Sequence, residues 1–473
     1  MKMTFEQLRL KHPRLVYTSY DLTVRDNTIV VTYDFRLEPD ITFHPTVTIP
    51  HTGNIDTSAL APYIFNVGLV EAISYWKAAC PREIVVEAGP LSEEQLRFWY
   101  DLFIHGLGEF FYRNNIDFTQ TDFLKIIPAY RAEIANDSTD SHRLTDTLNN
   151  VSVIPNTTPS DLILVGGGKD SAVTLGMLKQ SDRTLQTMVL NPTAAALATI
   201  RTAGLSDSII VRRTIDPKLL ELNAAGYLNG HTPFSAYLAF LGVLVGRLNG
   251  NENVIVSNEQ SANEGNVIFH GMEINHQYSK SFRFEQQFRT YSGTFLPSSP
   301  SYFSFLRPLN DVQIGMLFAA FPAYYQSFRS CNAGSATGVW CGACPKCAFT
   351  YLILFPFLAY QDMLRIFGRD YFTDPVIMQY VSELVGLTPV KPFECVGTRD
   401  EAKLAVYLSV ETYIQHQMEV PEGLLKIKSD LRLTPADVAH LKENIIMTWA
   451  GTYNLPPEHT AILRNAWENI SLP

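Results

Sequence analysis

Apolar and polar residues alternate over residues 15–20, 22–24 and 28–37, with Arg25-Asp26-Asn27 between them as a turn. A period of two sends successive side chains to opposite faces, so the pattern predicts strands, and residues 43–49 extend it into a β-meander. Helical spacing follows over 61–79 and 93–113, the second stretch opened by Ser92 as a cap with Glu93 and Glu94 in the first turn. The opening segment therefore reads as a small α+β module. Residues 137–160 then turn rich in Ser, Thr, Asp and Asn and end in Pro155-Asn156-Thr157-Thr158-Pro159, which marks a boundary.

Beyond it, apolar runs at 161–165, 185–190, 208–211 and 253–257 alternate with helical patterns such as 172–179 and 233–248. That rhythm predicts βαβ units, a parallel sheet with helices on both faces, and a ligand at the carboxyl ends of the strands. From about residue 355 the pattern is helical, with start signals at Asp374-Pro375, at the capping box Thr398 to Glu401, at Thr434-Pro435 with Asp437, and at Pro456-Pro457-Glu458. The predicted fold is α/β: a Rossmann-like doubly wound parallel sheet over 158–355, preceded by an α+β domain over 1–157 and followed by a helical domain over 356–473.

With 46% hydrophobic and 18% charged residues in 473, the chain has the composition of globular cores. A net charge of −10 without a Lys/Arg block argues against a nucleic-acid surface, which needs a basic stripe to displace counterions. There is no apolar run of about 18 residues and no apolar core in Met1-Lys2-Met3-Thr4-Phe5-Glu6-Gln7, so no membrane insertion and a cytoplasmic location are expected. Four of the six cysteines, Cys331, Cys341, Cys344 and Cys347, are spaced C-x9-C-x2-C-x2-C. Four thiolates at that spacing can enclose a tetrahedral zinc ion at about 2.3 Å and leave no open position, a structural site; iron–sulfur ligation or free thiols use the same residues.

Chemistry concentrates at Gly166-Gly167-Gly168-Lys169-Asp170-Ser171, directly after the apolar run Leu162-Ile163-Leu164-Val165. Consecutive glycines let backbone N–H groups approach an anion, and the helix that follows turns its positive end toward the same point, so the loop predicts bound pyrophosphate and points to ATP. Neither Gly-x-x-x-x-Gly-Lys-Ser/Thr nor a full Gly-x-Gly-x-x-Gly is present. The polar stretch Ser257-Asn258-Glu259-Gln260-Ser261-Ala262-Asn263-Glu264-Gly265-Asn266 follows a predicted strand, and with little to bury it reads as a binding loop. Its Glu259 and Glu264 are candidate Mg²⁺ ligands or acid–base groups, and Asn258, Asn263 and Asn266 are candidates for orienting a polar substrate. His276 and Lys280, in Asn275-His276-Gln277-Tyr278-Ser279-Lys280-Ser281, and His231, before a predicted helix start, suit contact with phosphate or carboxylate. Cys395 precedes the capping-box helix, whose dipole favours a thiolate; a small buried side chain in a loop is the alternative.

The glycine loop resembles the Ser-Gly-Gly-x-Asp-Ser loop of the N-type ATP pyrophosphatases, with Gly166 in place of the first Ser. Cys341-Gly342-Ala343-Cys344-Pro345-Lys346-Cys347 is similar to the cysteine pattern of one relative in that group, 7-cyano-7-deazaguanine synthase. Together with the 257–266 and 275–281 segments, these motifs resemble the UDP-N-acetylmuramoyl-L-alanyl-L-glutamate epimerases of bacterial peptidoglycan synthesis. That resemblance implies ATP and Mg²⁺ as cofactors and a UDP-N-acetylmuramoyl dipeptide as substrate. It also implies an acyl-adenylate route to the D-glutamate epimer, with release of AMP and pyrophosphate. The loop alone equally serves an amidotransferase, a ligase or a nitrile-forming synthase, and a nucleotide sensor would keep it without chemistry.

Overall fold

The computed structural model describes residues 3–53, 56–129, 159–206 and 208–469. The boundary placed at 157/158 lies outside them. The strands are β1 (Arg14–Arg25), β2 (Thr28–Leu37), β3 (Ile41–Phe43), β4 (Thr46–Pro50), β5 (Glu83–Val86), β6 (Lys125–Pro128), β7 (Ser160–Leu164), β8 (Thr184–Leu190), β9 (Ser208–Thr214), β10 (Asn253–Val256), β11 (Val267–Phe269), β12 (Met272–Ile274) and β13 (Ser301–Ser304). An 11-stranded, mostly parallel sheet has the order β13-β10-β7-β8-β9-β4-β2-β1-β5-β6, with β3 beside β2, while β11 and β12 form a separate hairpin.

The predicted turn between β1 and β2 forms with Asp26 and Asn27 at φ of 49° and 58°, the left-handed pair whose twist suits a tight hairpin. The opening segment is more than a meander, because β5 and β6 add in parallel to β1 after the helices Thr57–Trp76 and Glu93–Gly106 carry the chain across. Its sheet is also continuous with the next one: β4 pairs antiparallel with β9 through Thr46–Thr214, Val47–Arg213 and Thr48–Arg212. Arg213 behind that seam makes a bidentate pair with the buried Glu71 at 2.7 and 2.8 Å.

Among β7, β8, β9, β10 and β13 all strand pairs are parallel. The chain winds outward from β7 through β8 to β9, then crosses back to build β10 and β13 on the other side. The order therefore reverses between β7 and β10, where adjacent loops diverge and leave a crevice at the carboxyl ends. Side chains of β7 and β10 alternate between two cores. Leu162, Leu164, Val254 and Val256 join the core that holds the helices Phe234–Asn249 and Thr57–Trp76. Ile163, Val165 and Ile255 join the one that holds Lys169–Leu178, Asp311–Ala319 and Pro345–Leu354. Burial on both faces explains why residues 162–165 read as an unbroken apolar run.

The C-terminal region is helical, as expected, and the capping boxes at Thr398 and Thr434 both form. Its last helix, Pro457–Glu468, is tied to the start of β7 by the buried His459, whose Nε2 lies 2.9 Å from Asp161. Among the described residues, no helix is long and apolar enough to cross a membrane.

Candidate active site

The glycine loop leaves the end of β7 and passes into the helix Lys169–Leu178. Gly167 sits at φ +84°, and a Cβ there would lie 2.4 Å from the Ala196 nitrogen and 2.6 Å from the Ala195 carbonyl carbon, so no other residue fits. Gly168 caps the helix without a side-chain bond, which leaves the first N–H groups to be satisfied by other partners. Ser330 Oγ accepts the Lys169 N–H at 3.3 Å, the Arg329 N–H donates to the Gly167 carbonyl at 2.8 Å, and Ser171 Oγ accepts the Gly166 N–H at 3.2 Å. The loop is thus braced by the segment that runs into Cys331.

A cavity of about 340 Å³ opens over the crevice between β7 and β10, lined by the loop and by Glu259, Lys280, Asp311, Lys346 and Cys395 among others. Lys169 is nearly buried, with Nζ between Asp170 and Asp311. Burial alone would lower its pKa; the two carboxylates outweigh that and raise it, so the ammonium is permanent. Burial and the neighbouring Asp311 push the Glu259 carboxyl up, and burial raises Asp311 against the pull of Lys169. Glu401, raised by burial and by Asp311, accepts from the Ser261 hydroxyl at 2.6 Å and the Asp311 N–H at 3.0 Å. Asp170, Glu259 and Asp311 thus line the same cavity as Lys169, Lys280, Arg329 and Lys346, with Glu401 behind Asp311. Ser257 Oγ, in the cavity wall, is buried with no hydrogen-bond partner. These features suit a phosphate-bearing ligand with a divalent cation, held by one or two carboxylates and the phosphates.

The wall beyond Glu259 carries a second cluster. Burial would raise the Cys395 thiol, but Lys280, Lys346 and His276 outweigh it and hold the thiol well below its ordinary value. Sequence reasoning assigned that effect to the helix dipole; the lysines and the imidazole provide it. His276, whose Nδ1 lies 2.5 Å from Glu109 Oε2, is driven down by burial and more strongly up by Cys395 and Glu109, reaching about 9. His231, 3.6 Å from the same Glu109 oxygen, is pushed down to about 3 by burial and by the charge of His276.

The sulfurs of Cys331, Cys341, Cys344 and Cys347 all lie within 4.8 Å of one another, with Cys341 and Cys347 3.5 Å apart. A tetrahedral zinc with ~2.3 Å bonds places sulfurs ~3.8 Å apart, so the set fits such an ion. Cys331 Sγ accepts the Gly334 N–H at 3.1 Å and Cys344 Sγ the Cys347 N–H at 3.4 Å, bonds that favour thiolates. The cluster joins the helix Asn332–Thr337 to Pro345–Leu354, and both reach the cavity, through Asn332 and Ser335 on one side and Lys346 and Phe349 on the other.

Residues 7–305 match the family described as MurL N-terminal domain, and residues 326–430 match the one described as MurL C-terminal domain. The chain belongs to the MurL family. Three relatives named UDP-N-acetyl-alpha-D-muramoyl-L-alanyl-L-glutamate epimerase agree with that. The Micromonospora protein is 33% identical over 84% of this chain and 84% of its own length. The Salinispora tropica protein is 34% identical over 72% and 71%, and that of Xanthomonas oryzae pv. oryzae 28% identical over 96% and 97%.

In this MurL-family chain the structure gathers Gly166, Gly168, Lys169, Asp170, Ser171, Glu259, Lys280 and Cys395 around one cavity, with Gly167 supporting the loop from behind. His276 stands behind Cys395, and His231 packs against His276 with ring centroids 4.3 Å apart, outside the cavity lining. Glu264 also lies outside it, paired with Lys391 at 2.9 Å and accepting the Arg399 N–H at 3.1 Å. Asn266 braces rather than binds, donating to the Pro392 carbonyl and accepting the His276 N–H, each at 2.8 Å. The 257–266 stretch is not a solvated loop: Asn258, Glu259, Ser261 and Asn266 are buried in it. Asp311, Glu401, Lys346 and Glu109 escaped sequence reasoning. Glu109 left a trace, as an acid inside the apolar run Leu107 to Phe111, and Asp311 another, as an acid shortly after a fifth strand that was itself overlooked.

Proposed function

We propose that this chain is an ATP-dependent epimerase that converts the terminal L-glutamate of UDP-N-acetylmuramoyl-L-alanyl-L-glutamate to D-glutamate through an acyl-adenylate, releasing AMP and pyrophosphate, in peptidoglycan synthesis. The observation that carries this reading is that the glycine loop and the Lys280–Cys395 wall open onto one cavity. Phosphate chemistry and proton transfer can then act on the same bound group, and the names of the relatives supply the substrate. In this reading residues 158–355 form a Rossmann-like, PP-loop ATP pyrophosphatase domain, with zinc in the cysteine cluster. Residues 1–157 supply Glu109, and 356–473 supply Cys395.

The N–H groups at the loop and helix start bind the phosphates, with Lys169 fixed beside them by Asp170 and Asp311. A bound Mg²⁺ would neutralise phosphate charge and be held by the carboxyl groups of Asp170 and Asp311 beside the loop. Adenylation replaces the ionised α-carboxylate by a neutral mixed anhydride, whose carbonyl can take the electron pair from Cα as an enolate. Proton removal from one face and return to the other inverts the centre, and hydrolysis frees the product and AMP. The proton-transfer groups come from Glu259, Lys280 and Cys395 in the cavity lining, with His276 acting behind Cys395, a contribution of about 10²–10⁴-fold. Glu264 acts from outside the cavity by fixing the loop to Lys391.

Incubation in D₂O with ATP, Mg²⁺ and the UDP-muramoyl dipeptide should give the D-epimer with deuterium at Cα, together with AMP and pyrophosphate. An unlabelled α-carbon with ammonia or an amine attached would instead establish a ligase. Absence of AMP from folded, ATP-binding protein would establish a sensor.

A further inference from the structure

Glu109 is an acid where the fold asks for none: it sits on the short helix Gly108–Arg113 with its side chain 7% exposed, between Leu107 and the buried Phe110 and Phe111. Both of its oxygens are engaged, Oε2 with His276 Nδ1 and Oε1 with Arg113 Nε, each at 2.5 Å. The His276 backbone is fixed separately by Asn266, so ring and main chain are both held. With Nδ1 committed to Glu109, Nε2 is the nitrogen left to face the Cys395 sulfur, with which the imidazole interacts. Lys280 lines the cavity beside Cys395 and Glu259 and interacts with both.

Glu109, His231 and His276 lie within the 4.8 Å spacing of a metal site, but their surroundings oppose a cation. Arg113 already occupies one carboxylate oxygen, and Lys77 and Lys280 face His231. The arrangement is a carboxylate–imidazole–sulfur line whose outer end reaches the cavity. A line of this kind sets the orientation and basicity of its terminal atom.

We propose that the Cys395 sulfur, set against Lys280 and His276 in the cavity wall, accepts the α-proton of the activated glutamyl group, and that Glu109 is the positioning residue behind His276. The proposal rests on the epimerase reading above. In the step, the Cα–H bond breaks, an S–H bond forms, and the electron pair moves into the activated carbonyl as an enolate. The carbon then takes a proton on its other face from a carboxylic acid, for which Glu259 lines the same cavity. The thiol and the new carboxylate regain their starting states by proton exchange with water.

The groups facing Cys395 are Lys280, Lys346, His276 and, on its own loop, Glu394; those facing His276 are Glu109, His231, Glu394 and the sulfur itself. Removing the Glu109 charge lowers the pKa of His276, withdraws a cation from the sulfur, and moves thiolate formation to higher pH. In the full-length protein, Cys395→Ala should lose inversion and α-deuterium uptake by ~10² or more relative to its own dipeptide-dependent ATP–pyrophosphate exchange. Glu109→Gln should invert roughly 10–100-fold more slowly and shift the acidic limb of the pH profile upward, which a merely structural loss would not do. In wild-type protein, iodoacetamide should alkylate Cys395 at pH 6, and in Glu109→Gln only at higher pH, a readout independent of turnover. Inversion by Cys395→Ala above a tenth of the wild-type rate, or a Cys395 that alkylates only above pH 8 in wild-type protein, overturns the proposal. Wild-type protein that alkylates as expected but forms no AMP with the dipeptide overturns the epimerase reading instead.

Discussion

Gly167→Ala tests whether the glycine loop is built for a ligand or is only a permissive turn. The added Cβ would sit 2.4 Å from the Ala196 nitrogen and 2.6 Å from the Ala195 carbonyl carbon, both backbone atoms of the facing helix. Restoring a normal contact of ~3.4 Å needs a shift of about 1 Å between loop and helix, and such overpacking costs about 1–3 kcal/mol. The φ of +84° adds strain of about 1–2 kcal/mol for any L side chain. A loss of about 2–5 kcal/mol lowers the melting temperature but leaves the protein folded if its stability lies in the usual range of about 5–15 kcal/mol. A displacement of ~1 Å at a phosphate site, by contrast, costs ~10²-fold in rate. The assay is AMP and pyrophosphate release with the dipeptide, run beside a thermal melt. Gly166→Ala is the comparison: its Cβ would meet only Ser171 Oγ, at 4.0 Å, so it should lose less than ~10-fold. A Gly167→Ala protein with more than a tenth of wild-type activity would refute the reasoning.

Asp170→Asn should abolish AMP formation with little change in melting temperature, because its side chain is 30% exposed, whereas Lys169→Ala should also destabilise by about 3–5 kcal/mol by leaving buried carboxylates unpaired; activity assays and melts on both variants check this. Metal analysis should find about one zinc per chain, and Cys344→Ser or a strong chelator should lower both melting temperature and activity, since the cluster holds two elements that line the cavity. His276 is raised to about 9 in the fold from about 6.5 unfolded, so its ion pair stabilises fully below pH 6.5 and is lost as pH rises through 9. Cys395, held below its ordinary value, contributes the opposite slope up to about pH 8.5, so the melting temperature should fall between about pH 8.5 and 9.5, and His276→Gln should flatten that fall.

How much of this site could be read in advance depends on the range of the interactions that built it. The glycine loop, the cysteine cluster and the capping boxes are local devices, so their spacing carries their meaning. The short strand β13 was missed because four residues, Ser301–Ser304, show no usable period; they are defined by pairing with β10 at the far side of the sheet. The seam between β4 and β9 was equally invisible, since a strand edge does not encode which other edge will cover it. The same limit explains why Cys395 was attributed to a helix dipole, a local cause, when the groups that govern it come from Lys280, Lys346 and His276.

Burial is what turns these distant residues into one functional unit. In water, Glu109 and His276 would interact weakly, and a thiol beside them would keep its ordinary acidity; inside the fold, the cost of desolvation makes each charge depend on its neighbours. An acid in an apolar helical run must therefore find a cation or lose its charge, and that requirement is visible in the sequence around Glu109, where Arg113 four residues on is one partner and the second is not local. The inference available from sequence is thus the local pair with Arg113 and the need for a partner at the other oxygen. Only the fold, by placing a helix of the opening region against residues 231 and 276, can say that the partner is an imidazole and that beyond it stands a sulfur facing the cavity.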